Sequence, residues 1–154
     1  MESARHYIAG AWIEPDGFDR EDVTNPATGA VIGWQSVGDA AVTERAIAAA
    51  REAFEASDWA RAPRQRALAL IRFADRLEAI AEELIALIVR ENGKLRAEAT
   101  FEVRTSIAEL RYYAGLAGSL YGRSLESAPG AFSMITREPA GVAAVIVPWN
   151  APAM

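Results

Sequence analysis

The sequence predicts an α/β fold in a mostly helical stretch with peripheral strands. Apolar residues recur every three or four positions through long segments between Asp39 and Leu120. Short apolar stretches before Asp39 are punctuated by glycine and proline, as strands and turns are. Val142 to Val147 is continuously apolar and rich in valine. That pattern belongs to a strand covered on both faces, as in a parallel sheet.

The elements follow in order. His6 to Ile13, HYIAGAWI, reads as a strand, and Glu14 to Asp22, with Pro15 and Gly17, as a loop. Pro26 and Gly29 form a turn into a second strand at Val31 and Ile32, expected to pair with the first. Asp39 caps a helix running to about Ala56, with Val42, Ala46, Ala49, Ala50 and Phe54 along one side. Pro63 opens a long amphipathic helix that stops at Asn92 and Gly93. Its apolar stripe is Leu68, Ile71, Leu77, Ile80, Leu84, Ile85 and Ile88, with gaps at Ala74 and Ala81. A third helix is expected from about Arg96 to Leu120, its apolar side made by Phe101, Thr105, Ala108, Tyr112 and Leu116. Ser127 to Gly130 reads as loop, Ala131 to Glu138 as a strand broken at Pro139 and Gly141.

Composition narrows the chemistry. The 154 residues are 51% hydrophobic and 24% charged, enough apolar material for a sizeable core. The net charge of −5 offers no basic field for nucleic acid. There is no cysteine, which excludes disulfides, thiolate metal sites and a cysteine nucleophile within this chain. The single histidine, His6, has no second ligand nearby, so no metal site is expected. The N-terminus lacks a signal-peptide core, and Leu84 to Val89 is too short to span a membrane. A cytoplasmic location is the expectation.

The C-terminal residues suggest a larger protein. A strand buried on both faces needs strand neighbours, and parallel neighbours need long crossovers. No later segment of this chain supplies them. Asn150 is a favoured N-cap and Pro152 fits a first helical turn, so a helix is announced without its body. The chain is expected to be the leading part of an α/β protein. A small self-contained helical domain with a frayed tail is the alternative.

REPAGVAAVIVPWNAPAM resembles the segment of the aldehyde dehydrogenase superfamily that carries EP-x-G-V and PWN-x-P. YIAGAWI resembles that family's opening strand, and TNPATGAVIG its next turn and strand. The helical stretch AIAAAREAFEASDWARAPRQRALALIRFADRLE, then RENGKLRAEA and ELRYYAGLA, follow as landmarks in the same order. The resemblance runs from about Tyr7 to the end.

It implies an N-terminal part of an aldehyde-dehydrogenase-like fold, with a Rossmann-like cofactor domain. Residues 1–130 would begin that domain as two strands and three helices. Residues 131–141 would form an oligomerisation β-arm, and 142–154 a return strand. The implied activity is oxidation of a small-molecule aldehyde to a carboxylic acid, with NAD or NADP, through a cysteine thiohemiacetal. The partner implied is another copy, in a dimer or tetramer, with no nucleic acid and no membrane. By the same resemblance the Asn150 amide donates to the thiohemiacetal oxygen. Ile146, Val147, Pro148 and Trp149 line the dinucleotide site. Phe101 and Thr105, one helical turn apart, border the substrate tunnel. Simple packing is the competing role for each of these, and helix capping for Asn150. Lys94 reads as a solvated helix-end residue, and Tyr112 and Tyr113 as packing residues.

Many relatives carry a large aromatic after PWN, where this chain has Ala151. More room at that point suggests a bulky aromatic or branched aldehyde. Cysteine, general-base glutamate and glycine-rich cofactor turn would all lie outside this stretch, so these residues alone are expected to be inactive. A non-catalytic assembly module and a CoA-acylating semialdehyde dehydrogenase on the same fold are the other functions compatible with these residues.

Overall fold

The structure, a computed structural model, describes residues 2–13 and 20–154. Its strands are β1 (Glu2–Ala4), β2 (His6–Ile8), β3 (Ala11–Ile13), β4 (Arg20–Thr24), β5 (Val31–Ser36), β6 (Arg123–Ala128) and β7 (Ala131–Ile135). Its helices are α1 (Ala40–Ala56), α2 (Pro63–Ala79), α3 (Ala81–Asn92) and α4 (Arg96–Leu116), with a 3₁₀ turn at Asp58–Arg61.

The expected first strand is a hairpin. Ala9 (φ 53°) and Gly10 (φ 80°) both take positive φ, and the chain reverses so that β2 pairs antiparallel with β3. Two successive positive-φ residues match the twist of a tight hairpin. Tyr7 faces Trp12 across it, ring centroids 5.0 Å apart. The expected pairing with the strand at Val31 is therefore not made. The neighbours of β5 are β1, parallel, and β4, antiparallel. β4 occupies Arg20 to Thr24, the end of the stretch read as loop; residues 14–19 lie outside the described residues. Its polar side chains suit an edge: Gln35 Nε2 donates to Glu21 Oε2 at 2.9 Å, and the Arg20 guanidinium lies 4.3 Å from the Trp34 ring centre.

α1 starts as its sequence dictates. Asp39 Oδ1 accepts the Val42 N–H at 2.8 Å, and Val42 is the buried residue of the helix. The long helix expected from Pro63 is two helices, α2 and α3. Ile80 leaves helical geometry (φ −111°, ψ 15°) and separates the two. The apolar spacing runs through this break because both helices face the same core, so periodicity cannot reveal it.

That core is built from Ala74, Ala81, Ile85 and Ile88 against Ala99, Val103 and Ile107 of α4. The alanines read as gaps, Ala74 and Ala81, belong to this core, since a small side chain lets helices approach. Of the larger residues expected inside, Ile85 and Ile88 are buried and Leu77 and Leu84 pack on the core, whereas Leu68, Ile71 and Ile80 are each at least two-fifths exposed. α4 shows the same inversion. Ala99, Val103, Ile107 and Ala114 are buried, whereas Phe101 and Tyr112, expected on the apolar side, are more than three-fifths exposed. The Arg111 guanidinium joins α4 to Asp75 and Glu78 of α2, and these carboxylates, Glu78 first, raise its pKa above the ordinary value.

α4 ends at Leu116, ahead of the expected Leu120, where the Ser119 N–H turns back to the Leu116 carbonyl at 2.8 Å. Ser127 and Ala128, expected in a loop, belong to β6. β6 and β7 form an antiparallel hairpin, every residue of which is exposed. Val142 to Val147 forms no strand here; Val145 and Ile146 are 81% and 95% exposed. An apolar strand of this kind is stable only between neighbours, and no other described strand lies alongside it.

Candidate functional site

The last residues fold back onto α3 and α4. The Ala151 N–H donates to the Pro148 carbonyl at 3.3 Å and the Met154 N–H to the Ala151 carbonyl at 3.2 Å, giving successive turns. Side chains from the α3–α4 junction hold this backbone. Asn92 Nδ2 donates to the Trp149 carbonyl at 2.8 Å, and Lys94 Nζ to the Asn150 carbonyl at 2.7 Å. Lys94 also pairs with Glu102, whose Oε1 accepts the Ala153 N–H at 2.7 Å. The Ser106 hydroxyl lies between the carbonyls of Glu102 and Ala153.

Local sequence explains how these side chains converge. Gly93 ends α3 in the left-handed region (φ 77°), reversing the chain between Asn92 and Lys94. Glu102 stands one residue before Val103 on the inner face of α4 and is 3% exposed. The Lys94 and Glu102 side chains are 12% and 5% exposed. Burying such a pair is tolerated only when further hydrogen bonds satisfy it, as the Asn150 carbonyl and the Ala153 N–H do here.

Asn150 does not act as a helix cap. The Ala153 N–H, which a capping Asn150 would take, is held by Glu102 instead. The Asn150 amide makes no hydrogen bond among the described residues and is exposed. Asn150, Ala151 and Phe101 line one open cleft of about 550 Å³ with Lys94 and Glu102. Thr105 is half-buried one turn along α4 and does not line it. Ile146, Val147, Pro148 and Trp149 form an exposed strip leading into the turn. Tyr112 and Tyr113 are exposed and meet each other edge-on at 5.4 Å rather than packing inside. Lys94, read as solvated, is half-buried and paired with Glu102. Its signal in the sequence was Glu102, a charge on the stripe of Ala99 and Val103. No cluster of three or more metal-ligating side chains exists among the described residues. No helix there is long and apolar enough to cross a membrane.

The described residues thus form a layer of helices, short sheets, an exposed hairpin and a tethered PWN turn. The chain belongs to the aldehyde dehydrogenase family, whose model matches residues 12–154. It is 36% identical to malonate-semialdehyde dehydrogenase 1 of Geobacillus thermodenitrificans, over 100% of this chain and 32% of that protein. The chain thus spans about a third of the length of the curated relatives it matches. It superposes on a crystal structure of indole-3-acetaldehyde dehydrogenase with a TM-score of 0.90 and 33% identity, covering 98% of this chain and 35% of that one. It matches a betaine aldehyde dehydrogenase variant from Staphylococcus aureus, solved with NAD+, equally well: TM-score 0.90, 34% identity, 97% and 30% coverage. These matches establish the expected fold, the N-terminal part of an aldehyde dehydrogenase.

Proposed function

We propose that this chain supplies the oxyanion donor and one wall of the cofactor site of an NAD(P)-dependent aldehyde dehydrogenase. One observation carries the reading: the Asn150 backbone is tied down while its amide stays free beside a cleft.

In this reading a cysteine thiolate, from polypeptide outside these 154 residues, attacks the aldehyde carbon. A C–S bond forms and the carbonyl electron pair moves onto oxygen. The Asn150 N–H meets that charge without giving up its proton. A neutral donor suits the task, and a donor already fixed needs no rearrangement as charge develops. Phe101 and Ala151 border the aldehyde, with Thr105 behind them.

When bound, NAD(P)+ accepts the hydride that leaves the same carbon. Ile146, Val147, Pro148 and Trp149 fit one side of such a site, being apolar, consecutive and exposed. The neighbour solved with NAD+ supports the same cofactor class. Ala151, where a larger residue would narrow the cleft, supports a bulky aromatic or branched aldehyde.

The curated relatives favour a second reading for the substrate, a semialdehyde, with CoA or water releasing the acyl group. Residues 131–141 act in either case as part of an arm between copies in a dimer or tetramer. The exposed Phe132 and Met134 support that role. The cytoplasmic location belongs to the same proposal.

The test is NAD(P)H formation by the full gene product. Asn150→Ala is expected to lower kcat by about 10²–10³. An Asn150→Ala enzyme with undiminished kcat sinks the catalytic role. Malonate semialdehyde with and without CoA separates acid from acyl-CoA as product. The 154-residue chain alone is expected to give no turnover, and measurable turnover overturns that. A full gene product inert toward every aldehyde would favour the non-catalytic assembly module.

A further inference from the structure

The side chains that reach the last turn share one property. Asn92, Lys94, Glu102 and Ser106 all hydrogen-bond to backbone atoms of residues 149–153 rather than to the Trp149 or Asn150 side chains. Bonds fall on both sides of Asn150: the Trp149 carbonyl before it, its own carbonyl, and the Ala153 N–H after it. Packing would be the simpler way to hold a terminal turn, yet Trp149 is 68% exposed and Asn150 lies open. Ala153 packs against the core at the end of the turn, and around Asn150 the turn is held by polar tethers, two of them from the Lys94–Glu102 ion pair.

We infer that Lys94 and Glu102, with Asn92, are positioning residues that fix the Asn150 amide for the oxyanion. The inference rests on the proposed role of Asn150. Lys94 sets the height of the Asn150 carbonyl, and the peptide plane fixes the side-chain root with it. Glu102 orients Lys94 and, by accepting the Ala153 N–H, holds the end of the turn. Asn92 holds the plane before. Charge-assisted bonds of this kind are stronger than neutral ones.

The experiment is a double-mutant cycle in the full gene product: Lys94→Met and Asn150→Ala, singly and together. It reads kcat, KM for the aldehyde and the folded fraction. Lys94→Met is expected to lower kcat on the order of ten- to a hundred-fold, as misplacement of a catalytic group does. KM should change little, and in the Asn150→Ala background the further loss of kcat should vanish. Equal losses in both backgrounds overturn the inference, because general damage does not depend on the amide. Undiminished kcat in Lys94→Met, beside an impaired Asn150→Ala, overturns it while leaving the role of Asn150 intact. Undiminished kcat in Asn150→Ala removes that role and the positioning inference together. Should Lys94→Met not fold, Asn92→Ala replaces it in the same cycle, with the same supporting and overturning results. Asn92 is half-buried and makes a single bond to the turn, so its loss is the milder lesion.

Discussion

A Cβ built on Gly93 would lie 2.7 Å from Pro26 Cγ. The turn before β5 thus packs against the reversal that separates Asn92 from Lys94. Gly93 is also left-handed, where L residues are strained. Gly93→Ala is therefore expected to cost about 1–3 kcal/mol, from backbone strain and the proline contact together. Chemical denaturation of the chain measures it. Pro26→Ala in addition should return part of the loss, and an unshifted midpoint for Gly93→Ala would contradict the account.

Glu102→Ala removes one half of a buried ion pair. Lys94 is left charged with little water, and the Ala153 N–H loses its acceptor. The expected loss is about 3–5 kcal/mol near neutral pH. Replacing both partners, Lys94→Met with Glu102→Leu, should cost clearly less than Glu102→Ala, because no lone charge stays buried. Equal losses from the two would show that the pair's charge is not what matters.

Ala74→Leu fills a position with no free space. Ala74 and Ala99 are both 0% exposed in the core between α2, α3 and α4. Overpacking is expected to cost about 1–3 kcal/mol. Leu68→Ala, at a half-exposed site, should cost less. A thermal melt of each variant decides, and the reverse order would restore the stripe read from spacing alone.

Ala151→Phe narrows the cleft beside Asn150 and Phe101. In the full gene product it is expected to shift kcat/KM toward small aldehydes by roughly ten-fold, a typical worth of one pocket contact. Competition between benzaldehyde and acetaldehyde reads this directly. An unchanged ratio would separate Ala151 from substrate choice.

The capped start of α1, the proline opening of α2 and the glycine stop of α3 were all legible locally. Each depends on residues within a few positions: Asp39 with Val42, Pro63 at a first turn, Gly93 after Asn92. β4 was not legible, since REDVT is polar and earns its place from Gln35 and Trp34 across the sheet. At the site, Asn150, Ala151 and Phe101 line one cleft, and Thr105 does not. The tethers from Asn92, Lys94, Glu102 and Ser106 did not show, because no spacing rule joins residue 94 to residue 150.

By itself the sequence determined where α1, α2 and α4 begin, and that no thiol among these 154 residues can attack a carbonyl. Tertiary structure decided which apolar stripe of α4 is buried, that the helix from Pro63 breaks at Ile80, and that Lys94 turns inward. The physical reason is that periodicity reports the faces a helix has, whereas the face it buries is chosen by its neighbours. A charge is likewise buried only where the fold brings its partner and a backbone acceptor within reach.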